Sequence, residues 1–481
     1  MRTPGKILLL IAAAALTLGA AADAFAQKSF SRGPSAIDRA PSPSRGNDGP
    51  RGGERRPGWR VPGVIMTVPG MLPPGGPFIE DDDVISNNGP PRQQRSARRG
   101  PSGAPPAGER RLVPDEVVIE VRNSVSATQI DALQRRHRLT RLESQTFQLS
   151  GTTLFRWRIP DRRSVTTVVR ALERDNLVAS AQPNYLFAMQ ADDAPPAAGE
   201  PAQYALAKLH LPQAHALAKG DDVRVAVIDS AIDAQNAELA GSIAASFDAL
   251  TAPMAPHKHG TAIAGLIAAH GRLMGAAPQA KLLAVRAFDP NDNGAQGTTF
   301  SILKGLDWAA ANGARVINMS FAGPNDPALH RSLAAAHKKG IVLIAAAGNA
   351  GAKSPPLYPA ADPNVIAVSA TDSYDHLFEQ SNRGKHIAIA APGAQVLVVI
   401  PDGYEMASGT SFAAAEVSGI AALLLQRDPA LTPDKLRKIL ESTAKDLGPK
   451  GRDTQFGFGL ADAYAAVAAQ SAPVARANAP R

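Results

Sequence analysis

VRVAVIDS (223–230) is a short apolar run that closes on an aspartate, and its reading decides the fold of the larger half of the chain. Runs of the same kind recur at KLLAV (281–285), ARVINMS (314–320) and GIVLIAAA (340–347). They are nearly continuous in apolar residues, as expected of strands covered on both faces. Between them, apolar spacing predicts helices over 259–270, 298–312 and 326–339. Strands that alternate with helices argue an α/β domain with a mainly parallel sheet, from 204 to 470. In such sheets the active site lies at the carboxyl ends of the strands.

Upstream the pattern changes. VVIEV (117–121), 139–149, TTLFRWRI (152–159) and LVASAQPNYLF (177–187) read as strands. SATQIDALQRRH (126–137) and SVTTVVRALERD (164–175) read as helices with serine N-caps. The order βαββαβ predicts a small α+β ferredoxin-like domain over 112–190. Residues 191–203 form an exposed linker that invites proteolytic nicking. Residues 27–111 are rich in Pro, Gly, Ser and Arg and cannot bury enough surface to offset their ordering entropy, so a disordered tether is expected. The tail 471–481 reads likewise. At the N-terminus Arg2 and Lys6 precede an apolar run and then Ala24-Phe25-Ala26. This is the pattern of a signal peptide, 1–26, cleaved after Ala26, with export to the periplasm or the medium. No other apolar run reaches membrane-spanning length, so no membrane anchor is expected once the signal is removed.

The chain has 481 residues, a formal net charge of +8 and no cysteine. Disulfides, thiolate metal sites and a cysteine nucleophile are therefore excluded. The positive charge lies upstream: residues 191–481 hold 24 basic and 26 acidic side chains. A basic face that would draw nucleic acid to the main domain is not supported.

Four residues at predicted element ends carry chemistry. Asp229 ends a strand, His259 opens a helix in HKHGTAIAG, Ser411 starts a helix in ASGTSFAAA, and Asn349 follows a strand in AAAGN. Each alone is an ordinary cap, turn or packing residue. Together they supply what acyl transfer needs: a nucleophile, a base, a carboxylate to orient the base, and an oxyanion donor. The chain order Asp, His, Ser is one of those in which such triads occur.

With these blocks, and with GAAPQAKLLAVR, VINMSFAG, YPAA, IAIAAPG and FGFGLADAYAAV, the chain resembles a subtilisin-like serine protease over 112–470. The resemblance implies a three-layer catalytic domain preceded by an inhibitor-type propeptide, 112–190, acting in cis. It implies a secreted serine-type endopeptidase, monomeric, made as a zymogen, with protein or peptide substrates. Ser411 would be the nucleophile, His259 the base and then acid, and Asp229 its orienting partner. Asn349 and the Ser411 N–H would form the oxyanion hole. The substrate would lie extended between Ser320-Phe321-Ala322-Gly323 and Ala295-Gln296-Gly297. Leu357, before Tyr358-Pro359, would close the bottom of the primary pocket. The chemistry requires no cofactor and no catalytic metal. The sequence leaves structural calcium undecided: DPNDNG (289–294) begins like a calcium loop but has Phe300 at position 12 and reads as a solvated loop. Ser230-Ala231, Ala322, Phe412, Ala415 and Glu416 depart from the family's pattern without removing a catalytic group. A latent, non-catalytic relative is the rival that a serine-directed label distinguishes. A carboxyl-type relative is disfavoured by His259 and Asn349.

Overall fold

The computed structural model describes residues 102–122, 124–189, 203–251, 255–291 and 294–470. The expected signal segment, most of the tether and linker, and the 471–481 tail lie outside the described residues.

The N-terminal part runs β1 (Leu112–Val121), α1 (Ala127–His137), β2 (Thr140–Phe147), β3 (Thr152–Arg158), α2 (Val165–Leu172) and β4 (Val178–Met189). Ser126 starts α1 in a capping box with Gln129, and Ser164 starts α2 by accepting the Thr167 N–H. β1 lies between β3 and β4, antiparallel to both, with β2 outside β3. Alternation along β1 sorts its side chains. Val117 and Ile119 join Leu133, Trp157, Val168 and Leu172 in a core belonging to this part, while Val118 joins the core of the larger part. The described structure begins at Ser102, inside the stretch that composition had placed in the tether. Ser102 Oγ donates to the Glu173 carboxylate at 2.8 Å and the Gly103 N–H at 2.6 Å. Composition cannot register such a partner 70 residues away.

Two short helices follow, α3 (Tyr204–Lys208) and α4 (Leu211–His215). Then come β5 (Arg224–Asp229), β6 (Ile243–Asp248), α5 (Lys258–Ala268), β7 (Lys281–Arg286), β8 (Phe288–Asn291), β9 (Gly294–Thr298) and α6 (Thr299–Ala311). Next are β10 (Val316–Met319), β11 (Phe321–Ala322), α7 (Pro327–Lys338), β12 (Val342–Ala346), β13 (Ile366–Thr371), β14 (Ile387–Pro392), β15 (Val396–Ile400) and β16 (Gly403–Ala407). The helices α8 (Thr410–Arg427), α9 (Pro433–Thr443) and α10 (Ala463–Ala469) close the described chain.

Seven strands form a parallel sheet in the order β14-β13-β12-β10-β5-β7-β6. The apolar strand runs are continuous because both faces are covered. Val225, Val227, Val316 and Ile344 pack with Ile263 and Ile267 of α5 and Val417 and Ile420 of α8. Ala226, Ile228, Ile317 and Leu343 pack with Ile302 and Leu306 of α6 and Leu329 and Leu333 of α7. The result is three layers, helix on sheet on helix. From β5 the strand order runs one way through β7 to β6 and the other way through β10 to β14. The crevice at that reversal is where α/β sheets hold their ligands.

A second sheet crosses from the N-terminal part into the larger one, in the order β2-β3-β1-β4-β9-β8, with β11 also on β4. Of DPNDNG, expected as a solvated loop, Asp289–Asn291 lie in β8 and Gly294 starts β9, with Asp289 paired to Gln296 and Pro290 to Ala295; 292 and 293 lie outside the described residues. The N-terminal part also docks on α6 and α7. Val118, Phe147, Leu154 and Tyr185 share a core with Phe300, Leu303 and Leu329, and the Phe147 and Phe300 rings meet edge-on at 5.7 Å.

Candidate active site

Asp229 is the last residue of β5, and His259 lies in the first turn of α5. His259 Nδ1 is 2.8 Å from Asp229 Oδ1, and both side chains are buried. The same Oδ1 accepts the Ser230 N–H at 2.8 Å. A carboxylate can only accept, so the imidazole proton facing it is on Nδ1. His259 Nε2 has no hydrogen-bond partner among the described residues. A Cβ on Gly260 would stand 2.5 Å from the Ser230 carbonyl oxygen, so glycine lets α5 approach the end of β5 this closely.

Ser411 opens α8 on the other side of the crevice. Its Oγ donates to the Ser320 carbonyl at 3.1 Å, and Ser320 Oγ donates to the Ser411 carbonyl at 3.1 Å. Ser320 follows Met319, which pairs with Ile228, the residue before Asp229. The Ser411 and Asp229 ends are thus joined through adjacent strands. Behind them, Asn318 Nδ2 donates to Ser320 Oγ at 2.9 Å and Ser418 Oγ donates to Asn318 Oδ1 at 3.0 Å. The Phe412 ring lies 6.0 Å from that of His259.

Asn349 lies beside the start of α8. Its Oδ1 accepts the Thr410 N–H at 3.0 Å and the Thr410 hydroxyl at 2.8 Å. These bonds fix the amide plane and leave Nδ2 as its donating edge. Gly348, before it, has φ +105°, and a Cβ there would meet Asn382 Nδ2 at 2.4 Å.

The two stretches expected to bind substrate flank one occupied path. β4 pairs antiparallel with β9, Phe187 opposite Gly297 and Ala188 opposite Gln296, with Ala295 next along β9. On its other edge β4 pairs with β11, Ala188 opposite Ala322 and Met189 opposite Phe321. The Phe187 ring lies over Gly323, where a Cβ would be 2.2 Å away, and stands 6.0 Å from the Phe321 ring. Leu357 is buried, and its Cδ1 lies 3.1 Å from where a Cβ on Gly348 would be. The following Tyr358 accepts the Gly323 N–H at 2.8 Å.

Sequence reading missed the supporting polar residues Ser230, His257, Asn318, Thr410 and Ser418. Nothing local marks them. Burial pushes the His257 imidazole below its ordinary range, and the neighbouring His259 adds to this. Glu416, also on α8, is buried, and desolvation pushes its carboxyl up to about 8. Among the described residues no group of three or more His, Asp or Glu is arranged to hold a metal ion.

Comparison with known proteins matches residues 220–459 to the family model described as the subtilase family. The chain is 35% identical to thermitase of Thermoactinomyces vulgaris over 274 residues, covering 55% of this chain and 95% of thermitase. It is 35% identical to subtilisin E of Bacillus subtilis over 311 residues, covering 62% of this chain and 77% of that protein. It is 38% identical to the minor extracellular protease Epr of Bacillus subtilis over 261 residues, which is 53% of this chain and 39% of Epr. Among solved structures, fervidolysin from Fervidobacterium pennivorans, described as a keratinolytic enzyme related to subtilisin, matches with a TM-score of 0.65 at 23% identity. That match covers 76% of this chain and 62% of fervidolysin, and shows the fold.

Proposed function

Since the chain belongs to the subtilase family and is a serine-type endopeptidase, we propose that it cleaves peptide bonds through an acyl-enzyme on Ser411 and is held inactive by its own residues 112–190. Ser411 Oγ attacks the scissile carbonyl carbon while its proton passes to His259 Nε2. Asp229, on Nδ1, stabilises the imidazolium. The oxyanion accepts hydrogen bonds from Asn349 Nδ2 and the Ser411 N–H. Collapse breaks the C–N bond, and His259 gives the proton to the leaving amine. Water then attacks the ester, and His259 takes its proton and returns it to Ser411.

The observation that carries this reading is the path of β4. An extended peptide already lies between Gln296-Gly297 and Phe321-Ala322, paired on both edges, and β11 begins one residue after Ser320, whose carbonyl holds Ser411 Oγ. A substrate would replace it strand for strand. The βαββαβ order of residues 112–189 supports a ferredoxin-like propeptide whose last strand blocks the cleft. Cleavage in the 191–203 linker would free it. Leu357 against Gly348 supports a shallow primary pocket. Arg2, Lys6 and the Ala24-Phe25-Ala26 site support export, as does the extracellular character in the name of the relative Epr.

The test is labelling with a fluorophosphonate before and after release of residues 112–190. Label on Ser411 only after release is expected, and Ser411→Ala should take no label and process nothing. A serine that never reacts, or activity retained in Ser411→Ala, would overturn the assignment.

A further inference from the structure

His257 and Ser230 stand behind the Asp229–His259 pair and take no part in the steps above. His257 is the N-cap of α5, and its Nδ1 accepts the His259 backbone N–H at 3.3 Å. An N–H can bond only a bare ring nitrogen, so Nδ1 carries no proton and the ring hydrogen is on Nε2. Ser230 Oγ lies 2.9 Å from that Nδ1 and 3.2 Å from Asp229 Oδ1, and accepts the Gly260 N–H at 3.1 Å. Ser230 has one proton to give. His257 and Asp229 compete for it, and the shorter contact is to His257.

Among the described residues, the charged groups that act on His257 are Asp229 at the end of β5 and His259 and Lys258 on its own helix; Lys258 Nζ in turn lies 3.6 Å from Glu405 Oε1 of β16. Burial and the neighbouring His259 both disfavour a second proton on the His257 ring, which preserves its accepting form.

We propose that His257 is a positioning residue for the peptidase reaction: it holds the Ser230 hydroxyl off Asp229, so that the carboxylate keeps its full charge for the His259 imidazolium. The inference rests on the assignment of Ser411, His259 and Asp229 given above. Without an acceptor at 257, Ser230 turns to Asp229 Oδ1. The added charge-assisted bond disperses the carboxylate charge and makes His259 a weaker base.

The test is kcat/KM against pH for the released enzyme, with active sites counted by fluorophosphonate and Tm measured in parallel. His257→Ala should move the midpoint of the acid limb down by about half a pH unit or more and lower the plateau severalfold. His257→Asn keeps both an acceptor and a good cap, and should restore both. Ser230→Ala alone should move the midpoint little, because the shorter contact of the Ser230 hydroxyl is to His257 at 2.9 Å and the longer, at 3.2 Å, to Asp229. His257→Ala/Ser230→Ala should bring the shifted midpoint back. A residue serving only as a helix cap would lower Tm in His257→Ala without that shift and without its reversal. An unmoved midpoint in a His257→Ala enzyme that still takes the label overturns the inference, as does an upward shift in Ser230→Ala. Absence of any label or acid limb in the wild-type enzyme would sink the triad assignment instead, and the inference with it.

Discussion

Gln182 and Asp326, 144 residues apart in the chain, meet in a buried hydrogen bond of 2.7 Å between β4 and the start of α7. Asp326 caps α7 by accepting the Ala328 and Leu329 N–H groups, and Gln182 Oε1 accepts the Ala328 N–H as well. Thr299 donates to the second carboxylate oxygen. Burial pushes the Asp326 carboxyl up against these bonds, so each donor matters. On the neighbouring helix, Asn184 Oδ1 accepts the Phe300 N–H and Thr299 Oγ1 accepts the Tyr185 N–H. β4 thus ties into the N-terminal turns of both α6 and α7.

Gln182→Ala should therefore loosen the seat of residues 112–189, whose release the proposal makes the step of activation. Losing a buried hydrogen-bonded partner costs about 1–3 kcal/mol, or a roughly 5- to 150-fold weaker hold. The full-length chain should self-process faster, and an intact Ser411→Ala/Gln182→Ala chain should melt at lower temperature than Ser411→Ala. Unchanged processing and melting would mean that this contact contributes nothing to docking.

Asn349 and Thr410 should act as one unit. Asn349→Ala should lower kcat with little change in KM, by the order of 10²–10³-fold that loss of the oxyanion asparagine costs in subtilisin itself. Thr410→Val removes the hydroxyl that bonds Asn349 Oδ1 and accepts the Gly348 N–H. It should lower kcat less, and the double variant should be no worse than Asn349→Ala. Additive losses would show that Thr410 does not work through the amide.

Leu357 should set the size of side chain accepted before the scissile bond. Its contact with Gly348, next to Asn349, argues a shallow apolar pocket suited to Ala, Val or Leu. Leu357→Gly should shift a peptide-library profile toward Phe and Tyr. The preference should be graded, because a methylene in such a pocket is worth only about 1–3 kcal/mol. A wild-type preference for Phe, Tyr or a basic residue, unchanged in Leu357→Gly, would rule the pocket out.

Glu416 should make stability fall with rising pH. Its Oε2 is buried with no hydrogen-bond partner among the described residues, beside a water-sized cavity of about 10 Å³ lined by Tyr204, Leu266, Val396 and Leu397. Desolvation raises its carboxyl from 4.5 to about 8, so the folded state holds a proton that the unfolded chain has lost. Its stabilising effect is complete below the ordinary carboxylate range, declines as pH rises, and is gone above about 8. In a Ser411→Ala background, Glu416→Gln should gain stability relative to its parent between pH 5 and 9, by a few kcal/mol. Parallel pH profiles of the two proteins would count against a protonated Glu416.

The catalytic fold could be read from sequence because its signals are local. VRVAVIDS and its counterparts are apolar over a whole strand, and Thr298 and Asp326 cap their helices through neighbouring N–H groups. Asp229, His259, Ser411 and Asn349 stood out because glycines and small residues surround them in fixed order. The network behind them did not. Asn318 finds Ser418 100 residues away, and Ser102 finds Glu173 across 71. Asp289–Asn291, read as part of a solvated loop, lie in β8 for the same reason, whereas Ala295-Gln296-Gly297 of β9 were expected as a substrate-flanking stretch. Gly, Asn and Asp are poor strand formers, and β9 is a strand because Leu186, Phe187 and Ala188 pair with it from more than 100 residues upstream.

The two-edged pairing of Ala188, with Gln296 on one side and Ala322 on the other, has a consequence for what the enzyme can attack. A segment taking that place must arrive with the backbone groups of both flanks uncommitted. Helical residues have spent theirs on one another, and a strand inside a sheet has spent them on its neighbours. Tails, exposed loops and unfolded chains have not. On the proposed reading the cleft would therefore inspect a client's folded state before its side chains: an intact protein would offer it little, and a denatured copy of the same sequence far more.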